Sequence, residues 1–472
     1  MIEAAHRHFP WSRSSVIGVM VFLQVAIGCS SYREQPLSPQ AVAAKLQTPD
    51  RATLSMQVQD FHHPRLAPVR IDPELDLDPD QLAVIAVLIN PGLRTLRDER
   101  AVAEAQVIQA GILPNPQLAV GADLAVHGPD GTEKPGHSAG LGWEVTALIT
   151  RSSRRDAAQA HTDAVALDVA WQEWQIAAAT KTAAVRLAAA EQRLVLLEET
   201  SRMLTDRQDT IRRAVLAGWV SQLDEHAAAL TAREAADLAF DLRQECIALR
   251  LQLRRLLGFP PDHPIGVRLA QWPTIIDIPV GLADELEVQR LDLLALRRGY
   301  DSQDALVRAA ILGQFPKISL GLTHASDTGA VRTLALGLTV DLPFFDRNQG
   351  VIASEEATRQ RLFDEYVQRL FDARHDLAAA ISDAETTMLR ITRQDGALTT
   401  MAADTSAVVA WSAAGQVDGG TAQTAVVQLA QKRGEALASR QHLAELRIAI
   451  ELAAGRLLVV GGSPRDLDRK GP

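Results

Sequence analysis

The sequence predicts a mainly α-helical chain with a membrane β part: two copies of a long helical hairpin, each preceded by a pair of short strands. Three observations carry this. The 22 prolines avoid 137–259 and 344–463, which leaves proline-free stretches of 123 and 120 residues in a chain of 472. Proline breaks helix interiors, so such gaps are room for very long helices. Residues also recur at a constant offset of 200. Leu93, Leu96 and Arg97 return as Leu293, Leu296 and Arg297, and Ala110, Pro116, Leu118, Val120 and Gly121 return as Ala310, Pro316, Ile318, Leu320 and Gly321. Finally, segments before each proline-free stretch alternate between aliphatic and small or polar residues, the period of a strand.

The chain opens on an address. Arg7 and Arg13 precede an apolar run of 12 residues, 16–27, too short to cross a ~30 Å hydrocarbon core as a helix. The run ends in Ala26-Ile27-Gly28-Cys29, a small residue before a cysteine. Residues 1–28 therefore read as a lipoprotein signal peptide and Cys29 as the lipid-bearing mature N-terminus, where several acyl chains anchor durably. Ser30 rather than Asp follows, the sorting pattern for the outer membrane. The plainer alternative is an ordinary signal peptide with an incidental cysteine. Residues 29–85 are rich in proline and polar side chains and read as an extended N-terminal arm. The adjacent His62-His63 lie there in a proline-rich segment, and no metal site is expected from them.

Residues 86–258 form the first repeat. A helix over 88–112 leads into strands 116–124 and 138–146. The long stretch then starts near 151 and is interrupted at Gly218, the turn of a helical hairpin whose return arm is 220–257. Residues 259–284, with Pro260, Pro261, Pro264, Pro273 and Pro279, form the linker between the halves. The second repeat, 285–460, has a helix over 286–312, strands 316–324 and 333–342, a long helix over 347–413, and a turn marked by Gly415, Gly419 and Gly420 before a return arm over 420–459. Residues 461–472 are a C-terminal tail.

The strands alternate cleanly. Leu334, Leu336, Leu338, Val340 and Leu342 share one face, and Thr333, Ala335, Gly337, Thr339 and Asp341 share the other. A half-buried soluble sheet gives the same pattern. The length, however, suits a tilted membrane strand with lipid on the aliphatic side. Four strands cannot close alone, and open edges are not tolerated in lipid, so spanning strands require several protomers around one barrel. The helices carry seams with 3–4 spacing: Ala164, Leu167, Trp171, Trp174 and Ala178; Leu242, Cys246, Leu249, Leu253 and Leu256; Leu377, Ile381, Ala384, Met388 and Ile391; Leu443, Leu446, Ile450, Ala453 and Leu457. Such spacing favours near-parallel helices, and it makes Cys246, Trp171 and Trp174 core residues. In each half the two shorter helices together nearly match the long one, so they can stack end to end beside it. The strands then leave from one end and the hairpin turns lie at the other.

Composition excludes several classes. The net charge is −10 with no basic block, so a nucleic-acid footprint is missing. Two cysteines support neither a disulfide framework nor a zinc motif. No nucleophile elbow, phosphate loop or metalloprotease motif occurs, so an enzyme is not expected, nor a cofactor beyond the lipid on Cys29. No later apolar run is long enough for a transmembrane helix.

The order of elements resembles the TolC-type outer membrane efflux protein family, in its lipoprotein branch, over about 85–460. The residues that carry the resemblance are Asn90-Pro91-Gly92-Leu93, Ala110-Gly111-Ile112-Leu113-Pro114-Asn115-Pro116, Gly313-Gln314-Phe315-Pro316, and Asp341-Leu342-Pro343-Phe344-Phe345-Asp346-Arg347-Asn348. The resemblance implies a homotrimer, in which four strands per protomer give a 12-stranded outer membrane β-barrel and the helical hairpins give a periplasmic α-barrel. It also implies a passive exit duct held in outer membrane lipid, which docks a periplasmic adaptor and an inner-membrane pump of the RND type. Members carry carboxylates near the tips that narrow the pore. Asp224 follows Gly218 at the matching distance. In the second hairpin Thr421 and Thr424 occupy the corresponding places and Asp418 is the nearby acid. A coiled-coil periplasmic lipoprotein tethered to the outer membrane is the structural alternative, and it leaves the duplicated strands without a use. The cargo and the cognate pump are not legible in the sequence.

Overall fold

The computed structural model describes residues 31–458 apart from 48–49, 73–74, 125–134, 270 and 330. The signal segment 1–28, Cys29 and the tail 461–472 lie outside the described residues. The chain up to Pro49 is one unit and the chain from Asp50 another. In the first, helix α1 (Pro39–Leu46) is capped by Ser38, whose hydroxyl accepts from the Ala41 amide at 3.2 Å.

The second unit runs α2 (Arg51–Gln59), α3 (Pro79–Ile89), α4 (Pro91–Gly111), β1 (Gln117–Asp123), β2 (Gly136–Glu144), α5 (Ala147–Leu216), α6 (Gln222–Leu257), α7 (Leu286–Gln289), α8 (Leu291–Leu312), β3 (Lys317–Ser326), β4 (Arg332–Asp341), α9 (Gln349–Ala413) and α10 (Gly419–Ala454). Helices α5 and α9 have 70 and 65 residues without a break, each roughly 100 Å at ~1.5 Å per residue. Helices α4 and α6 pack along α5; α8 and α10 pack on its other side and also against α9. The helical layer thus has four rows: α4 with α6, α5 alone, α8 with α10, and α9 alone.

The two short helices of each half do meet end to end. Helix α6 ends at Gly258 (φ 72°), where a Cβ would lie 2.7 Å from Cδ of Pro91 at the start of α4. Helix α10 ends at Gly455 (φ 69°), where a Cβ would lie 2.9 Å from Cα of Arg290. Left-handed φ at both, with the proline ring against Gly258 and backbone against Gly455, demands glycine. The residue three positions before each of the repeated Leu93 and Leu293 then reaches across. The Asn90 amide donates to the Leu256 carbonyl at 2.7 Å, and Arg290 Nη1 donates to the Ala453 carbonyl at 3.2 Å.

Two expectations need correction. The helix read over 88–112 is two helices, α3 and α4, divided at Asn90-Pro91, and the helix over 286–312 is likewise divided at Arg290. The arm 29–85 is not simply extended, because it holds α2 and most of α3, so a repeat boundary at 86 cuts a buried helix. Leu82, Ile85 and Ile89 of α3 pack with Leu54, Val58, Leu187, Leu253 and Leu257. A second core, around Leu286, Leu293, Leu377, Leu443 and Ile450, serves the other half. All four helical seams contribute buried residues, including Trp171, Trp174, Cys246, Leu377 and Leu443.

Polar ties join the halves at mid-height of α5. Lys181 is buried with Nζ 2.6 Å from Asp80 Oδ1 and 3.3 Å from Glu451 Oε2, and Glu451 is also buried. Burial pushes the Lys181 ammonium down, but the Glu451 and Asp80 carboxylates outweigh it and hold the group above its ordinary value. His63 tucks the arm onto α5. Its Nδ1 accepts from the Arg65 and Leu66 amides at 3.1 and 3.2 Å, and its Nε2 faces the Ala170 carbonyl at 3.2 Å. That bonding requires the neutral ring with its proton on Nε2. Arg65 continues to Gln289 Oε1 at 2.7 Å.

Candidate functional site: strand wall and hairpin tips

The four strands form one antiparallel sheet in the order β1-β2-β3-β4. The pairing aligns Leu118, Leu141, Leu322 and Leu336 in one row, with Trp143, Leu320 and Leu338 in the next same-face row. These side chains are open to the surroundings; Leu118 is 71% and Leu336 87% exposed. The opposite face carries the row Gln117, Gly142, Gly321 and Gly337, flanked by Ala119, Gly140, Thr323 and Ala335. An exposed face of large aliphatics behind a face of small and polar residues is the arrangement of a wall between lipid and water. Among the described residues, the outer edges of β1 and β4 have no strand partner.

Trp143 is the one aromatic residue in the strands, and its Nε1 donates to the Pro114 carbonyl at 2.8 Å. Phe315, Phe344 and Phe345 lie just beyond the strands at the same, helix-proximal end, and all three are exposed. Exposed aromatic side chains thus cluster in the turns at the helix-proximal end of the sheet. The Asp346-Arg347-Asn348 turn has a structural task. Asn348 takes a left-handed φ of 61°, its amide nitrogen Nδ2 donates to the Ala310 carbonyl at 2.7 Å, and Asp346 Oδ1 accepts from its backbone N–H at 2.9 Å.

At the other end, Gly218 (φ 78°) and Gly415 (φ 71°) turn the two hairpins. The bonds Trp219 N–H to Ala214 O and Gln416 N–H to Trp411 O, both 2.9 Å, close matching helix ends. Gly419 and Gly420 are placed differently from expectation, inside the first turn of α10, after its cap Asp418. Asp418 Oδ2 accepts from the Gly420 and Thr421 amides at 2.9 and 3.1 Å. Asp224 is the third residue of a capping box with Ser221, whose hydroxyl donates to Asp224 Oδ2 at 2.7 Å. Both candidate gate carboxylates are thus helix caps, and both are solvent-exposed. They line one open cleft of about 740 Å³ together with Arg207, Trp219 and Thr424. Arg207 of α5 lies against Gly419, where any side chain would overlap its guanidinium. The cleft therefore brings Asp224 and Asp418 from the two hairpins to one place.

No protein-family model matches the chain. The cobalt-zinc-cadmium resistance protein CzcC of Cupriavidus metallidurans is 26% identical over 284 residues, which are 59% of this chain and 65% of CzcC. The match thus spans a little under two thirds of that relative's length. Among solved structures, CusC superposes with a TM-score of 0.68 at 18% identity, covering 84% of this chain and 99% of CusC. The outer-membrane channel OprN gives 0.68 at 18% identity, covering 90% and 98%, and the Campylobacter jejuni CmeC outer membrane channel gives 0.66 at 14%, covering 80% and 86%. The chain has the TolC-type outer membrane efflux fold.

That fold accounts for both ends of the chain: a sheet whose outer edges are unpaired among the described residues and hairpins that end in exposed turns. Two features of the tips escaped the sequence reading. Leu216, Trp219 and Leu223 stand exposed around the first turn, Trp219 at 83%, and a tryptophan directly after a turn glycine was the available signal. The capping role of Asp224 was also legible, since Ser221 and Asp224 stand at capping-box spacing.

Proposed function

We propose that this chain is the outer membrane channel of a tripartite efflux system, a passive duct fed by a periplasmic adaptor and an inner-membrane pump of the RND type. The carrying observation is the sheet: an exposed aliphatic face, an opposite face of small residues, and two unpaired edges. Lipid accepts such strands only in a closed barrel. Three copies in a ring supply 12 strands. The exposed Leu216, Trp219 and Leu223 at the first hairpin tip are the proposed docking point for the adaptor. Asp224 and Asp418, beside Arg207 in one cleft, are the proposed gate carboxylates. Cys29 is the proposed lipid anchor, which holds the protein to the outer membrane with the hairpins in the periplasm. The name of CzcC ties that relative to cobalt, zinc and cadmium, and divalent transition-metal cations are the cargo proposed here. No chemistry is assigned to the duct.

The test has three readouts. The purified chain should run as a trimer in detergent and conduct ions across planar bilayers; a monodisperse, non-conducting monomer would refute the channel. Cys29→Ala should lose incorporation of labelled palmitate. Deletion should raise cellular zinc, cobalt or cadmium under load, and unchanged metal content with a conducting trimer would refute the cargo while leaving the duct.

A further inference from the structure

The aliphatic face of the sheet carries ionisable side chains at one end only. Its strand positions hold three of them, His137, His324 and Arg332, all exposed. They are neighbours. His137 and Arg332 pair with Ser326 from its two sides, and His324 precedes Ser326 by one same-face step on β3. Directly paired residues on antiparallel strands stand ~5 Å apart, so the three bases occupy a patch roughly 10 Å across around the buried Ser326. Among the described strand positions no carboxylate shares this face, and Asp327, in the turn after Ser326, has its Oδ1 engaged by the Gly329 and Val331 amides. Asp123, Glu144 and Asp341 fall on the opposite face by strand parity. Val120 and Leu334 flank His324 in its own row, and the next row toward the helices is Leu118, Leu141, Leu322 and Leu336. Trp143 lies near the far end of the band, where the described strand positions of this face carry no charge.

A single base at a strand end is ordinary. Three exposed bases at the edge of an otherwise aliphatic band, with the strand carboxylates on the opposite face, make a surface whose charge fits an anion and whose flank fits acyl chains. We propose that His137, His324 and Arg332 bind the phosphate-bearing headgroup of a membrane lipid, in the leaflet away from the helices. This rests on the reading of the sheet as a membrane wall. The Arg332 guanidinium supplies a two-pronged donor suited to phosphate oxygens. Each histidine needs only one ring N–H, which the neutral ring has. The acyl chains would lie along Val120, Leu334 and the row of Leu118, Leu141, Leu322 and Leu336 beyond them, which is why a lipid and not free phosphate is the ligand.

The experiment uses the full chain in phosphatidylcholine nanodiscs, with added bisphosphorylated lipid A, phosphatidylglycerol or inorganic phosphate. Native mass spectrometry reads retained lipid, and thermal unfolding of the oligomer reads protection. Lipid A should stay bound and raise the unfolding midpoint. The double variant R332Q/H324Q should weaken that binding at least about tenfold with conductance unchanged. Undiminished lipid A binding by the variant would overturn the proposal, as would equal protection by inorganic phosphate alone. If the double variant does not assemble, R332K is read in its place; it keeps the charge but loses the forked donor, so binding equal to wild type would overturn the site. Failure of the wild type itself to enter nanodiscs would overturn the membrane reading, and is seen before any lipid is compared.

Discussion

Lys181→Met would test how the two repeats are held together. The ammonium lies 3.3 Å from the buried Glu451 carboxylate and 2.6 Å from Asp80, which is 64% exposed. At an effective dielectric constant of ~20, the Glu451 contact is worth about 5 kcal/mol of attraction. The exposed Asp80 adds at most about 1 kcal/mol after screening. Desolvation of the ammonium takes back several kcal/mol. In the variant that penalty disappears, but Glu451 stays buried, with Arg447 Nε at 3.4 Å and the Leu458 amide at 3.2 Å as remaining partners. The net loss should be about 3 kcal/mol, the low end for breaking a buried pair. Because proteins of this kind unfold irreversibly, the observable is the unfolding rate, followed by helical circular dichroism. It should rise up to about 100-fold, while Lys181→Met with Glu451→Leu should return to within about fivefold of wild type. The raised folded value of Lys181 adds a pH signature. Its stabilisation is complete below the ordinary ammonium value and is lost as pH rises through the folded one, so wild type should lose stability in strong alkali and the variant should not. A single variant within twofold of wild type, or a double variant worse than the single, would refute the argument.

Burial holds the His63 imidazole below its ordinary value of 6.5, against the pull of Glu173 and with the help of Arg65 and Arg97. Its stabilisation is therefore full above about pH 6.5 and falls as pH drops toward the depressed folded value. Proteolysis of the arm around 60–70 should speed up at pH 5 in wild type and become pH-independent in His63→Phe. Gly258→Ala combines a left-handed φ with a Cβ 2.7 Å from Pro91 and should cost about 2–4 kcal/mol. Gly218→Ala has the same φ problem in open space and should cost only about 1–2 kcal/mol; equal unfolding midpoints for the two would show that the end-to-end joint is not tight. Leu336→Arg, in the middle of the aliphatic face, should cost about 2–4 kcal/mol of bilayer stability, whereas Ala335→Arg on the other face should assemble normally. Equal yields of folded oligomer in lipid would contradict the assignment of faces.

The long hairpins and the strands were legible because each rests on a local period that nothing in the tertiary structure overrides. Proline gaps and 3–4 seams placed α5 and α9 within a few residues, and strict alternation placed β3 and β4. Helix α3 was missed for the opposite reason. Leu82 to Ile89 is apolar at every position, and a helix buried on all sides shows no period. The Lys181 cluster was invisible because its partners lie 101 and 270 residues away in the chain, and a lysine in a helix ordinarily reads as solvated. At the tips the glycines that needed a left-handed φ were legible. The acids were read for charge, when their spacing from the helix start already described caps.

One geometric coincidence links the two layers of the protomer. The open edges of the sheet are β1 and β4. The outermost rows of the helical layer are α4 with α6 on one side and α9 on the other. Chain connectivity ties these edges together, since β1 follows α4 and β4 leads into α9. Both rows leave apolar side chains open: Leu238 and Ile247 on α6, Phe363, Val367 and Phe371 on α9. β1 and β4 also run antiparallel to one another, so placing β4 of one copy beside β1 of the next continues the alternation without a break. A single head-to-tail rotation would therefore close the sheet and cover the helical faces together. Neither closure is separable from the other, because the turns at 112–116 and 342–348 are too short to let a strand move without its helix. Assembly of the barrel in the proposed trimer is then one event, and a defect in either seam should weaken both.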